Sequence, residues 1–194
     1  MDRTQEFFGA RAGRWETTFP DDGPLFEAAI AELAPPSGGV VLDVGCGSGR
    51  ALPPLRTAVG PDGQVVGLDV TPEMLAEASR RGRRSAASLV LGDAQRLPFA
   101  AGTFDACLAA GLISHLADPA VGLRELARAC RPGARLALFH PVGRAALAAR
   151  QGRELDPQDL RAEPQIRAAL ADAGWACASV DDGEQRYLVL AVRT

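Results

Sequence analysis

The chain has 194 residues, a net charge of −3 and a pI near 5.4. That length is enough for one domain with its own core, and the acidic balance argues against a dedicated nucleic-acid binder. All 21 basic residues are arginine, so the absence of lysine excludes a Gly-Lys-Ser/Thr phosphate loop and a Schiff-base lysine.

Residues 2–19 carry Phe7, Phe8, Ala12, Trp15 and Phe19, an aromatic set expected on one short amphipathic helix. It either packs on the domain or forms a flap over a ligand. Pro20-Asp21-Asp22-Gly23 reads as a turn, and Pro24 opens a helix to about Ala34. Val40 to Val44 is a first apolar strand, followed by Gly45-Cys46-Gly47-Ser48-Gly49 and a helix over residues 51–59. Val65 to Asp69 is a second strand. Thr71 is placed to cap a helix that begins at Pro72 and ends near Gly82. Ser88 to Asp93 is a third strand, Phe104 to Ala110 a fourth and Pro119 to Ala129 a helix. A turn at Arg131-Pro132-Gly133 leads into a fifth strand, Arg135 to His140. A short helix within residues 143–150, a helix over 158–172 and a closing hairpin (Trp175 to Val180, Arg186 to Val192) complete the chain.

Continuously apolar strands alternating with helices indicate a parallel α/β sheet covered on both faces. Ligands of such sheets bind beyond the carboxyl ends of the strands. Three successive strands there deliver a glycine loop, Asp69 and Asp93; the fourth and fifth lead to His115 and His140. A carboxylate at Asp69, 20 residues after Gly49, suits two vicinal ribose hydroxyls. That fits both NAD and S-adenosylmethionine. The loop discriminates: its spacing is G-x-G-x-G, with Arg50 where a dinucleotide fingerprint places its third glycine. Asp43, two residues before the loop, suits an ammonium and a sulfonium better than a pyrophosphate.

The chain resembles the class I S-adenosylmethionine-dependent methyltransferases, in the type 11 or menaquinone-biosynthesis-like group. The resemblance is carried by Val41 to Gly49, by Gly60-Pro61-Asp62-Gly63 through Leu75, by Gly92 to Phe99, by Phe104-Asp105 and by Leu126 to Gly133. It implies a Rossmann-like three-layer α/β sandwich. The seven-stranded, mostly parallel sheet would have order 3-2-1-4-5-7-6 and an antiparallel closing strand. Residues 1–194 would be one domain, with 1–23 as a cofactor flap and 141–157 as a short lid insertion. Gly45, Gly47, Ser48 and Gly49 would hold the methionine end of the cofactor, with Ala110 beside it. Asp69 would take the ribose hydroxyls, and Val70 and Met74 would lie against the adenine. Asp93 would accept from the adenine amino group, and Ala94 would donate its N–H to a ring nitrogen. Trp15 stands where the family's lid usually has Tyr, and its indole offers only a donor.

A mere turn role for Asp93 is the lesser reading, given the flanking Gly92-Asp93-Ala94 and Leu97-Pro98-Phe99. Asp105 begins a strand, far from the ligand edge, and is expected to be structural. The cluster Arg80-Arg81-Gly82-Arg83-Arg84 is expected to be a solvated helix end rather than a phosphate site. His140 and His115 are the candidates for base chemistry near neutral pH. The expected activity is methyl transfer from S-adenosyl-L-methionine to a small-molecule acceptor, mainly by proximity and in-line alignment. The alternatives are a non-catalytic S-adenosylmethionine-binding or scaffolding protein, and an NAD-dependent oxidoreductase. A nucleic-acid acceptor is disfavoured, since Ala109-Ala110-Gly111-Leu112 stands where an Asn/Asp-Pro-Pro-Tyr/Phe stretch would serve it. No metal is expected, because the four cysteines show no paired spacing. They read as free thiols of a cytoplasmic monomer or homodimer. Neither a leader pattern nor a run of about 20 apolar residues suggests a membrane.

Overall fold

The structure, a computed structural model, describes residues 3–18 and 22–194. Phe19 and the first two residues of the expected turn, Pro20 and Asp21, lie outside that set. The chain begins with α1 (Arg3–Gly9), a 3-10 turn (Ala12–Arg14), α2 (Trp15–Thr18) and α3 (Gly23–Leu33). The sheet follows with β1 (Val40–Val44), α4 (Leu52–Val59), β2 (Gln64–Asp69), α5 (Pro72–Arg80), β3 (Ser88–Leu91) and β4 (Phe104–Ala110). It finishes with α6 (Pro119–Ala129), β5 (Cys130–His140), α7 (Arg144–Arg150), α8 (Glu163–Asp172), β6 (Trp175–Asp182) and β7 (Tyr187–Arg193).

The seven strands lie in the order β3-β2-β1-β4-β5-β7-β6. The first five run parallel; β7 is antiparallel to both β5 and β6. The order reverses between β1 and β4, which opens a crevice at their carboxyl ends, as the doubly wound plan requires. Two apolar layers cover the sheet. One packs Phe26, Ile30, Leu33, Leu52, Leu55 and Leu75 of α3, α4 and α5 against one face. The other packs Leu123, Leu126, Ile166 and Leu170 of α6 and α8 against the opposite face. Trp175 is buried there and its Nε1–H donates to the Leu123 carbonyl at 3.0 Å, joining β6 to α6.

Several local expectations are corrected. The N-terminal stretch is not one helix: it breaks after Gly9 into three short turns. Thr71 stands before α5 but makes no side-chain cap; its own N–H is instead held by Asp69. The fifth strand starts at Cys130 rather than Arg135, with Gly133 at φ +80 and a register shift opposite Phe104 and Ala106. An irregularity of this kind lets a Pro-Gly turn continue an extended strand. The last helix starts at Glu163, since Pro164 suits only a first turn. Asp105 is structural: it accepts from the Val40 N–H at 2.8 Å and pairs with Arg131. Among the described residues no helix is long and apolar enough to cross a membrane.

Gly67 of β2 sits under the loop that leaves β1. A Cβ there would lie 3.1 Å from Cys46 Sγ and 3.1 Å from Leu52 Cδ2. Gly67→Val is therefore expected to lower unfolding free energy by about 1–3 kcal/mol through overpacking. Urea denaturation reads this, and an unchanged midpoint would refute the packing account.

Candidate functional site

Strand alternation sends Leu42 and Val44 into the α6 layer and Val41 into the α3–α4 layer. Asp43 therefore points the same way as Val41, into an apolar layer. Its cross-strand neighbours are Gly67 and Leu108. The carboxyl group is 1% exposed, and neither oxygen has a partner. Burial, with the Asp69 charge second, pushes its pKa up to about 8. The same burial and both carboxylates raise the Cys46 thiol far above its ordinary value, so it is no nucleophile.

Above Asp43 the loop turns on glycines. Gly45, Gly47 and Gly49 have φ of 71°, 54° and 85°, the left-handed region that L side chains avoid. Gly45 also lies so close to Leu112 that a Cβ would meet Cδ1 at 3.0 Å. The Gly45 and Cys46 N–H groups donate to the Leu68 carbonyl, at 2.8 and 3.0 Å. Asp69 clamps the loop to β2. Its Oδ2 accepts from the Gly47 N–H and its Oδ1 from the Thr71 N–H, both at 2.8 Å. Burial raises its pKa while these donors pull it back. Each carboxylate oxygen still has lone-pair capacity for a further donor.

The other expected cofactor residues fall around this loop. Ser48 is buried within it, and Met74 backs it, with Sδ 4.0 Å from a Cβ placed on Gly47. The Val70 carbonyl accepts from Gln5 Nε2 at 2.9 Å, which brings α1 onto the end of β2. Asp93 is exposed just past β3. Its Oδ1 accepts from the Gln95 N–H at 2.8 Å, and its Oδ2 has no protein partner. Ala94 beside it is buried, and half-buried Ala110 ends β4 opposite Phe139 of β5.

The N-terminal segment lies across α5. Phe8 packs edge-on against Trp15 and against His115, at ring separations of 5.3 and 5.1 Å. Glu16 pairs with Arg81 at 3.2 Å and Arg83 at 3.5 Å. The arginine cluster is thus not a simple solvated helix end: Arg81 and Arg83 hold the N-terminal segment. Gln5 and Glu16 carried no sequence signal for this, because their partners lie 65 or more residues away.

His140 ends β5. Its Nδ1 lies 2.8 Å from the Val142 carbonyl and 3.1 Å from the Val142 N–H. With the proton on Nδ1, shared with the nearer Val142 carbonyl, Nε2 is the accepting nitrogen. Burial, then Arg161 and His115, hold its pKa below the ordinary value, against the pull of Val142 and Asp22. His115 is also shifted down, by desolvation and by Arg161. Arg161 and Tyr187, which motif reading did not single out, line the same cleft as His140. No group of three or more metal-ligating side chains occurs among the described residues.

The cofactor the sequence implies can be tested against this site. An unpartnered buried carboxyl group beside a second carboxylate favours a cationic ligand and disfavours a pyrophosphate. The bare loop and Asp69 fit a ligand that brings a sulfonium, an ammonium and ribose hydroxyls.

A family model described as "Methyltransferase domain" matches residues 42–138. A demethylmenaquinone methyltransferase of Roseiflexus sp. (strain RS-1) is 40% identical over 60% of this chain and 51% of its own length. A nocamycin O-methyltransferase of Saccharothrix syringae is 43% identical over 70% of this chain and 50% of its own. The chain spans about half the length of these curated relatives. Among solved structures, an Aquifex aeolicus SAM dependent methyltransferase superposes with a TM-score of 0.72. It is 27% identical, over 87% of this chain and 89% of that one. Magnesium protoporphyrin IX methyltransferase from Synechocystis PCC 6803 with bound SAH shares the fold over 100% of both chains, with a TM-score of 0.75 and 21% identity.

Asp43 makes stability depend on pH in a definite sense. Its pKa is raised on folding, so the folded state takes up a proton between about pH 4 and 8 that the unfolded state lacks. Its contribution is fully present below the unfolded value and is lost as pH rises through 8, amounting at pH 7 to a penalty on the order of 4 kcal/mol. The two histidines act oppositely, below about pH 6.5, because their pKa values are lowered on folding. Between pH 6.5 and 8 the urea midpoint of the free protein should therefore fall. Asp43→Asn should flatten that slope, and an unaltered slope in the variant would contradict the assignment.

Proposed function

Because the chain belongs to the class I S-adenosylmethionine-dependent methyltransferases, with the methyltransferase domain matched over residues 42–138, we propose that it methylates a small-molecule acceptor. The observation that carries this reading is the buried, unpartnered Asp43 carboxyl group beneath a glycine loop that Asp69 clamps. Relatives named for demethylmenaquinone and nocamycin support a small organic acceptor, and the second name supports an oxygen acceptor. When bound, S-adenosylmethionine supplies a methyl group on a cationic sulfur, already activated for displacement.

The protein's part is to bind, orient and exclude water. Gly45, Gly47, Ser48 and Gly49 give close backbone approach at the end of β1. Asp43 supplies negative potential under that loop, where few dipoles compete with it. Asp69 retains acceptor capacity for vicinal hydroxyls, and Asp93 Oδ2 and the Ala94 N–H offer an acceptor and a donor at the neighbouring strand end. Phe8 and Trp15, carried by the N-terminal segment, cover the opening between α5 and His115. We read residues 4–18 as the flap of this site, and Gln5 and Glu16 as its attachments. The 141–157 lid is short, with one helix of seven residues, α7, and leaves the acceptor side open.

Most of the rate then comes from alignment of acceptor and donor. A base is needed where the acceptor must lose a proton, and we assign that role to His140 Nε2, supported by its position at the end of β5 in the cleft. The neutral imidazole that its lowered pKa maintains is the form that can accept that proton. The reading includes a cytoplasmic location, supported by four free thiols, of which Cys46, Cys107 and Cys130 are buried.

Calorimetric titration separates the ligand classes. S-adenosylhomocysteine should bind and NADH should not; the reverse pattern would sink the proposal. A metabolite screen for S-adenosylhomocysteine release should then yield an acceptor. With an acceptor that is un-ionised at the assay pH, His140→Gln should lower kcat by about 10²–10⁴-fold with little change in KM, and a full kcat would remove His140 from the base role; an acceptor that arrives ionised needs no base.

A further inference from the structure

A second polar cluster lies beyond the glycine loop, where β4, β5 and β7 end together. Its cleft is lined by Gly111, Ser114, His140, Arg161 and Tyr187 among others. Tyr187 opens β7 directly opposite His140 in the antiparallel ladder. Its hydroxyl donates to the Arg161 carbonyl at 2.9 Å, so β7 sets where Arg161 stands. The Arg161 guanidinium spends Nε and Nη2 on Asp159, at 3.1 and 2.7 Å. Its Nη1 has no partner among the described residues.

The charges facing this cleft are few. His140 turns Nδ1 to Val142 and keeps Nε2 free, and its Cδ2 edge faces Gly111. His115 makes a ring contact with Phe8, but its nitrogens have no partner among the described residues. Asp159, the carboxylate on Arg161, is shared with buried Arg144 at 3.8 Å. Arg144 is itself held by Asp182 at 3.1 Å. Asp22 acts on His140 only from a distance and is ion-paired to Arg50. The Tyr187 phenol is held protonated, its pKa raised by burial. Thus two groups able to carry positive charge, His140 and Arg161, line one cleft, with His115 next to its lining residue Ser114, and among the described residues no carboxylate is bonded to either imidazole. Arg161 disfavours a proton on both rings, and His115 does so on His140. An anion entering the cleft would relieve that repulsion and meet charge-assisted donors.

We propose that the acceptor carries an oxygen acid, ionised near neutral pH, which docks between His140 and Nη1 of Arg161, with Arg161 as its anchor. This rests on the methyltransferase reading, since the cleft adjoins Ala110 at the same strand edge. It names the substrate class for that site: a small carboxylate, or a phenol or enol acidic enough to ionise.

The chain contains only two histidines, so ring proton resonances titrate as two curves, assigned with His140→Gln. The probes are benzoate, 4-nitrophenolate and neutral benzamide, each added with saturating S-adenosylhomocysteine. At least one anion should raise a histidine midpoint while benzamide leaves both in place, and the more effective anion tells carboxylate from phenolate. Without probe, Arg161→Gln should raise both midpoints, and it should weaken the effective anion by about tenfold or more. Arg161→Lys, which keeps the charge, should retain most of the response. Equal shifts with benzamide, no shift with either anion, or undiminished anion affinity in Arg161→Gln would overturn the proposal. Should that variant fail to fold, the comparison of anions with benzamide on the natural chain decides alone. Calorimetry with S-adenosylhomocysteine keeps the two readings apart. Its failure to bind the natural chain would remove the methyltransferase reading, whereas binding without an anion response would remove only this inference.

Discussion

A carboxyl group buried without a partner is the constraint on which the rest of this structure depends. Asp43 occupies a strand position that packing alone would fill with valine or isoleucine. It is tolerated because its neighbour on β2 is Gly67, whose missing side chain leaves room beneath the loop, and because burial raises its pKa until much of it is neutral in the free protein. An ion left unpaired in such a layer is costly, and the same cost becomes attraction once a cationic ligand arrives. The site thus stores, in the free state, the electrostatic bias that selects its ligand.

Around that position the loop is held by few bonds, each doing two tasks. Asp69 fixes the Gly47 and Thr71 amides and thereby orients its own carboxylate at the strand edge. The Leu68 carbonyl receives two loop amides and ties β1 to β2 where their ends diverge. The N-terminal segment is joined more lightly, through Gln5, Glu16 and one aromatic cluster. The ion pairs of Glu16 are half-buried, with its side chain 14% exposed, and fasten this segment to α5 and the turn after it.

The acceptor side is built from a different part of the chain. There the antiparallel return of β7 brings Tyr187 beside His140, and Tyr187 in turn places Arg161. The two sides of the crevice therefore differ in charge: carboxylates on the β1–β2 side, cation-capable groups on the β4–β5–β7 side. Such opposed polarity favours a cationic ligand on one side and an anionic one on the other.

Much of this was legible in the chain itself. The strand segments, the glycine spacing and the positions of Asp43, Asp69 and Asp93 follow from local pattern, because apolar runs and glycine turns state their geometry over a few residues, whereas the strand order came with the family resemblance. Asp105 at a strand start also read correctly as structural. The breaks in the N-terminal stretch and the late start of the last helix were less legible, since Gly9 and Pro164 act through context that a periodic pattern hides. What tertiary structure alone decided is which distant side chains meet. That Asp43 has no partner among the described residues, that Glu16 holds Arg81 and Arg83, and that Arg161 lines one cleft with His140 depend on strand register and on contacts between residues tens of positions apart. Sequence pattern reports which face a residue takes along its own element; only the packed sheet determines what stands across from it.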